Sequence, residues 1–381
     1  VHVTDEGKIY VADTGNARIV VGDLEGNLLQ TMGEGTLVSP RGVFVTENGH
    51  VYVADRDAEA VFEFGADGEM LNRYGKPESP LYGDSLSFLP IKLVVNDAGI
   101  MYVICESNTN GIVEISPIEG GTFLGYFGTN MASSSPMIII RRAFATKAQR
   151  AKMVSNIPST PDNLCIDNKG LIYTVTRGEE YNTLKRLNIA GKNVIEPDTY
   201  DDIPAAVAAG NHDNVFMVSQ QGFVYEFNSE GEALFVFGGS DDGNQRVGLC
   251  TVVSAIDVDL QDRLYILDSD KAQIQVYEPT EFTDLLHKAL NLYSTGRYTE
   301  SKAPLEEVLK MNSMFDYANM AMGRAYFQEE NYEMAQYYAK LAKDYTGYSE
   351  ATWEIRNLWL KKWIVPIIWA VVALWAAGRV I

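Results

Sequence analysis

Cysteine is scarce in this chain, and what there is excludes several kinds of chemistry. Cys105, Cys165 and Cys250 lie far apart among 381 residues, with no Cys-x-x-Cys pair. An odd, dispersed set supplies neither a disulfide framework nor a zinc-ribbon spacing, and each sits in a strand-like apolar run as a small core residue. Basic residues are also in deficit: 31 Lys and Arg against 51 Asp and Glu give a net charge of −20. A nucleic-acid partner is excluded on that ground, because phosphate contacts need cations. Neither Gly-x-Ser-x-Gly nor a phosphate-binding glycine loop occurs, so the usual marks of a serine nucleophile or a nucleotide site are missing. No cofactor is expected.

What the chain has is repetition. Six times it writes a short apolar strand around an aromatic: Tyr10, Tyr52, Tyr102, Tyr173, Phe216 and Tyr265. Their spacings run from 42 to 50 residues, except for 71 between Tyr102 and Tyr173. Five of the six are preceded by an apolar strand ending in a polar turn, as in VFVTENG before Tyr52, and the first by the short VHVT; an alternating strand such as VFEF follows. Four units add a last strand closing on Gly33, Gly75, Gly128 or Gly238. A four-stranded antiparallel sheet at this period cannot bury both faces alone and must stack on its neighbours, which predicts a six-bladed β-propeller over residues 1–279.

The wording YVADTGNARIVV at Tyr10 and YVADRDAEAVFEF at Tyr52 resembles the NHL family of propellers. Asp13, Asp55 and Asp268 fall at that family's acidic position, whereas Cys105, Thr176 and Ser219 depart from it. The resemblance implies the fold, and it leaves function open between binding platforms, lactonases and lyases. The chain opens inside a strand (VHVT) and its sixth unit lacks an outer strand. An upstream segment carrying an export signal and the closing strand is therefore expected.

The overlong gap is filled by residues 131–160, whose Arg141, Arg142, Lys147, Arg150 and Lys152 give +5 with no acid. Residues 137–154 read as an amphipathic helix, with Ile140, Phe144, Ala148 and Ala151 near one face. A basic amphipathic helix suits a lipid surface or an acidic partner; a solvated decoration is the plainer alternative.

After Pro279 the apolar period changes from 2 to 3.6. Tyr298 and Tyr332 stand in register 34 residues apart, and Gly323, Tyr326, Ala335 and Ala342 complete a pattern that resembles tetratricopeptide repeats over 280–348. Pro304 is expected in the first turn or so of its second helix, where proline is tolerated. From 349 to 381 a helix leads into an uncharged run, Trp363 to Gly378. Those sixteen residues rise about 24 Å, close to a hydrocarbon core of about 30 Å. With Trp359, Trp363, Trp369 and Trp375 they are expected to form a membrane span. The α-helical hairpins and the transmembrane helix complete a mainly β fold class.

Candidate binding residues are those entering the inner strands of the blades: Arg41, Lys92, Asp162, Asn163 and Ser254, as a small-ligand or peptide site. Calcium needs converging oxygen ligands, and only Asp162 and Asn163 offer them beside two cations. The four histidines, His2, His50, His212 and His287, do not occupy matching places in the repeats, so no metal site and no catalytic residue is assigned. The order of propeller, basic insertion, helical repeats and span is similar to bacterial surface proteins of Gram-positive lineages found alongside carbohydrate ABC transporters. That resemblance implies an accessory or scaffolding protein on the outer face of the plasma membrane. Its partner would be a permease or solute-binding protein. An extracytoplasmic enzyme of the lactonase or lyase type is the alternative.

Overall fold

The computed structural model describes residues 1–130, 158–178, 183–195, 203–243 and 246–377. The basic run from Arg141 to Lys152 lies outside them. The chain forms two compact units, Val1–Glu278 and Pro279–Ile381.

The first unit is a six-bladed propeller. Each blade starts with an inner strand: β1 (His2–Val3), β5 (Pro40–Val45), β9 (Pro90–Val95), β13 (Asn163–Ile166), β16 (Pro204–Ala209) and β20 (Val253–Val258). The second strands, β2 (Ile9–Asp13), β6 (Val51–Asp55), β10 (Met101–Cys105), β14 (Ile172–Val175), β17 (Val215–Ser219) and β21 (Leu264–Asp268), carry the six anchor aromatics. Third strands follow as β3 (Arg18–Gly22), β7 (Ala60–Phe64), β11 (Ile112–Ser116), β15 (Leu184–Leu187), β18 (Phe223–Phe227) and β22 (Gln273–Tyr277). Blades one, two, three and five add β4 (Leu28–Met32), β8 (Met70–Tyr74), β12 (Thr122–Phe127) and β19 (Ala233–Gly238). Among the described residues blades four and six have three strands. Each inner strand contacts the next around the ring, and β1 closes it against β20.

Strand alternation explains why blades stack. Successive side chains point to opposite faces. Val51 and Val53 of β6 pack with Ile19, Val21 and Val43 in one core, while Tyr52 and Ala54 pack with Leu93, Met101 and Val103 in the next. Each strand thus serves two interfaces, and each fully buried Val or Leu contributes about 1.5–3 kcal/mol. The inner strands approach so closely that a Cβ on Gly42 of β5 would stand 2.9 Å from the Ile91 carbonyl oxygen and 3.0 Å from Lys92 Cα. Only glycine fits there.

The acidic positions of the repeats tie loops down. Asp55 accepts the amides of Val38, Ser39 and Ala58 at 2.7, 2.9 and 3.0 Å. Asp268 likewise accepts Thr251 N–H at 2.7 Å and Val252 N–H at 3.3 Å. A carboxylate that gathers amides from the loop before its own blade's inner strand fixes where that strand begins. Asp13 instead pairs with Arg18 at 3.0 Å.

The second unit consists of α1 (Glu281–Ser294), α2 (Tyr298–Met311), α3 (Asp316–Gln328), α4 (Tyr332–Leu341) and α5 (Tyr345–Ala377). Thr280 caps α1 through Thr283 N–H, and Asn331 caps α4 through Met334 N–H. Gly323 lets α3 lie against α4, since a Cβ there would meet Ala339 N at 3.2 Å and Ala335 O at 3.3 Å. Pro304 stands in the second turn of α2, which begins at Tyr298. The C-terminal helix α5 runs 33 residues without a break at Pro366. It is long and apolar enough to cross a membrane, and its apolar window is not buried within the chain.

Candidate functional site

The inner strands surround an axial cavity of about 1530 Å³ that opens at the hairpins joining inner to second strands. Strand register sets the levels of the inner strands. Opposite the anchor aromatics stand His2, Phe44, Val94, Cys165, Ala208 and Asp257. Two residues earlier in five blades stand Gly42, Lys92, Asn163, Ala206 and Ala255, the blade-two to blade-six members of a second level.

Of the five residues expected as a site, Lys92 lines this cavity and the others do not. The reason is a β-bulge near the start of the inner strands of blades two, three, five and six. The register skips Arg41, Ile91, Ala205 and Ser254, so Arg41 and Ser254 are the extra, exposed residues of their bulges. Lys92 lies one position past its bulge. Asp162 stands just before β13, while Asn163 shares Lys92's register level. Asp162 accepts Arg177 N–H at 2.7 Å and pairs with that guanidinium at 3.4 Å. Burial still pushes its carboxyl above the ordinary range, against the amide and charge of Arg177. Asn163 is buried and donates to the Ala205 carbonyl at 3.4 Å.

The cavity's polar groups are unequal. His2 Nδ1 stands 3.1 Å from Asp257 Oδ2, and its Nε2 stands 3.1 Å from the Val45 carbonyl oxygen. Asp257 also accepts Val3 N–H at 2.7 Å and Val258 N–H at 3.0 Å. Burial opposes its charge, but His2 and the two amides outweigh that and hold the carboxyl below its ordinary range. For Lys92 burial dominates and lowers the ammonium's pKa, with Asp257 and Cys165 acting the other way. Burial raises the Cys165 thiol, so this cysteine stays neutral. Nothing in the sequence marks His2, Asp257 and Cys165 as channel residues, because no spacing rule ranks them until strand register is known.

On the cavity wall Glu63 collects four donors: His50 at 2.7 Å, Tyr52 at 3.1 Å, Asn72 at 2.8 Å and Tyr74 at 2.7 Å. Burial would raise its pKa, yet Tyr74, His50, Asn72 and Tyr52 together bring it below the glutamate range. His212 pairs with Asp262 at 2.8 Å on the blade five to six side, and His287 lies on α1.

No protein-family model and no curated protein matches the chain. Solved structures similar to it include a streptogramin B lyase, at 14% identity over 71% of this chain and 76% of that one, TM-score 0.44. The Kuenenia stuttgartiensis hydrazine synthase gives 13% identity over 76% and 82%, TM-score 0.49. The Cps50 (Swd1) β-propeller domain of Myceliophteria thermophila gives 10% over 73% and 85%, TM-score 0.46. Likeness at these identities concerns the fold. It says nothing of what this chain binds.

Proposed function

We propose that this chain is a membrane-anchored interaction protein whose propeller faces outside the cell and docks a membrane complex. The observation that carries the reading is α5: apolar side chains such as Ile364, Ile368, Val372 and Leu374 are exposed around the helix, with no charge from Trp363 to Gly378. A helix apolar on all sides, with none of the described residues covering its apolar run, suits hydrocarbon, not water. Pro366 is compatible with such a span, where neighbouring groups satisfy the freed carbonyl. The NHL-like blades and tetratricopeptide-like hairpins supply surfaces of the kind used to hold partners.

Within this reading the partner is a carbohydrate ABC transporter's permease or solute-binding protein. Arg141, Arg142, Lys147, Arg150 and Lys152 form the contact to its acids or to anionic lipid. The test is expression of the full chain with a tag on the propeller, alkaline extraction of membranes, protease treatment of intact cells, and affinity capture. Retention in the membrane, cleavage before lysis and capture of a permease or binding protein are expected. Protection until lysis overturns the outward orientation, and release by alkaline extraction overturns the anchor. Turnover of lactones by the purified chain would instead favour a hydrolytic propeller.

A further inference from the structure

Among the described residues, no hydrogen bond or ion pair meets the Lys92 ammonium in the axial cavity. Lys92 lies on β9 with its side chain in the cavity wall. Asp257 is the carboxylate acting on it most, and it accepts from His2 and from the amides of Val3 and Val258, not from Lys92. The wall around it mixes apolar residues such as Phe44, Val94 and Leu164 with His2, Cys165 and Asp257. A charge left without a partner in such a wall is costly unless a ligand completes it. The mouth above has the opposite sign. Asp5, Glu47 and Asp97 stand exposed on the hairpins that frame it.

We propose that the channel is a binding site for a small organic carboxylate carrying a single negative charge, held by Lys92 and with its hydroxyl or amine end beneath the acidic mouth. A carboxylate accepts directly from the ammonium, a charge-assisted bond stronger than a neutral one. The acidic mouth repels a second negative charge, and its oxygens accept from hydroxyls or amines. The cavity volume exceeds the usual range of about 300–1,000 Å³ for small-ligand pockets, so an extended polyol or amino carboxylate fits without displacing the wall. This inference stands apart from the membrane reading, since every residue it uses lies in the propeller.

The experiment is calorimetric titration of the full chain in detergent with four probes: gluconate, its neutral counterpart sorbitol, 4-aminobutyrate and succinate. Gluconate or 4-aminobutyrate is expected to bind, sorbitol not, and succinate at least about tenfold more weakly than the better monocarboxylate. Lys92→Met should weaken that binding by at least about tenfold, the span of a lost charged hydrogen bond. Lys92→Gln repeats the test with a polar side chain should Lys92→Met misfold. Arg41→Ala, at the strand-entry end, should bind as the parent does. Three results overturn the site: no binding by either monocarboxylate, unchanged affinity in both folded Lys92 variants, or sorbitol binding as tightly as gluconate. Succinate binding as tightly as gluconate overturns the single-charge assignment.

Discussion

Asp257 of the sixth blade binds His2 of the first, Oδ2 to Nδ1 at 3.1 Å. The same carboxylate oxygen takes the Val3 amide at 2.7 Å, spanning 254 residues. One side chain therefore joins the two ends of the blade ring, and His2 extends the link into blade two through the Val45 carbonyl. Asp257→Ala leaves His2 Nδ1 and the Val3 amide without their acceptor, a loss of about 2–3 kcal/mol. Amide exchange in β1 and β20 should then accelerate by roughly 30- to 150-fold, measured by mass spectrometry on the full chain. Equal acceleration in β9 would mean global unfolding instead of local opening.

Glu63 makes the propeller acid-sensitive. Its carboxyl lies below the ordinary range when folded, so its stabilisation is complete above the unfolded glutamate pKa. It is lost as pH falls through the lower folded value. Between about pH 5 and pH 3 the parent should lose stability that Glu63→Gln never had. Thermal midpoints across that range should converge as the pH drops; parallel curves would contradict the assignment.

Gly42 has no room for a side chain. Gly42→Val drives a branched side chain into the Ile91 carbonyl and Lys92 backbone, at a cost of about 1–3 kcal/mol. Denaturant midpoints read the loss. Because the clash lies at Lys92, carboxylate binding should weaken along with stability.

Anchoring by α5 depends on its middle. Ile368→Lys with Val372→Lys puts two charges at the centre of the apolar run, each costing about 2.5–3.5 kcal/mol in a bilayer. The double variant should appear in the soluble fraction with its propeller folded, judged by protease resistance.

The blades were legible because their signal is repeated and local. Tyr10, Tyr52, Tyr102, Tyr173, Phe216 and Tyr265 recur on equivalent second strands. The helical region was equally legible from its change of period. The channel was not, because one inserted residue changes which side chains reach it. Arg41 and Lys92 look alike as strand-entry cations, yet the bulges make Arg41 the extra residue and send Lys92 one place further into the channel. His2 and Asp257 meet only through ring closure, a contact that strand patterns within a single blade do not encode.

A ring of inner strands has no terminal member. In an open stack of repeats the end units lose half their neighbours, so they fray first and the interior melts later. Here every inner strand touches one on each side, β1 and β20 included. No blade is the weak starting point by position alone. The order of opening is set by local chemistry: by the Asp257 clasp, by the amides gathered on Asp55, and by the close approach at Gly42. Because each inner strand has a neighbour on both sides, an inner strand that loosens gives up contacts with two blades at once.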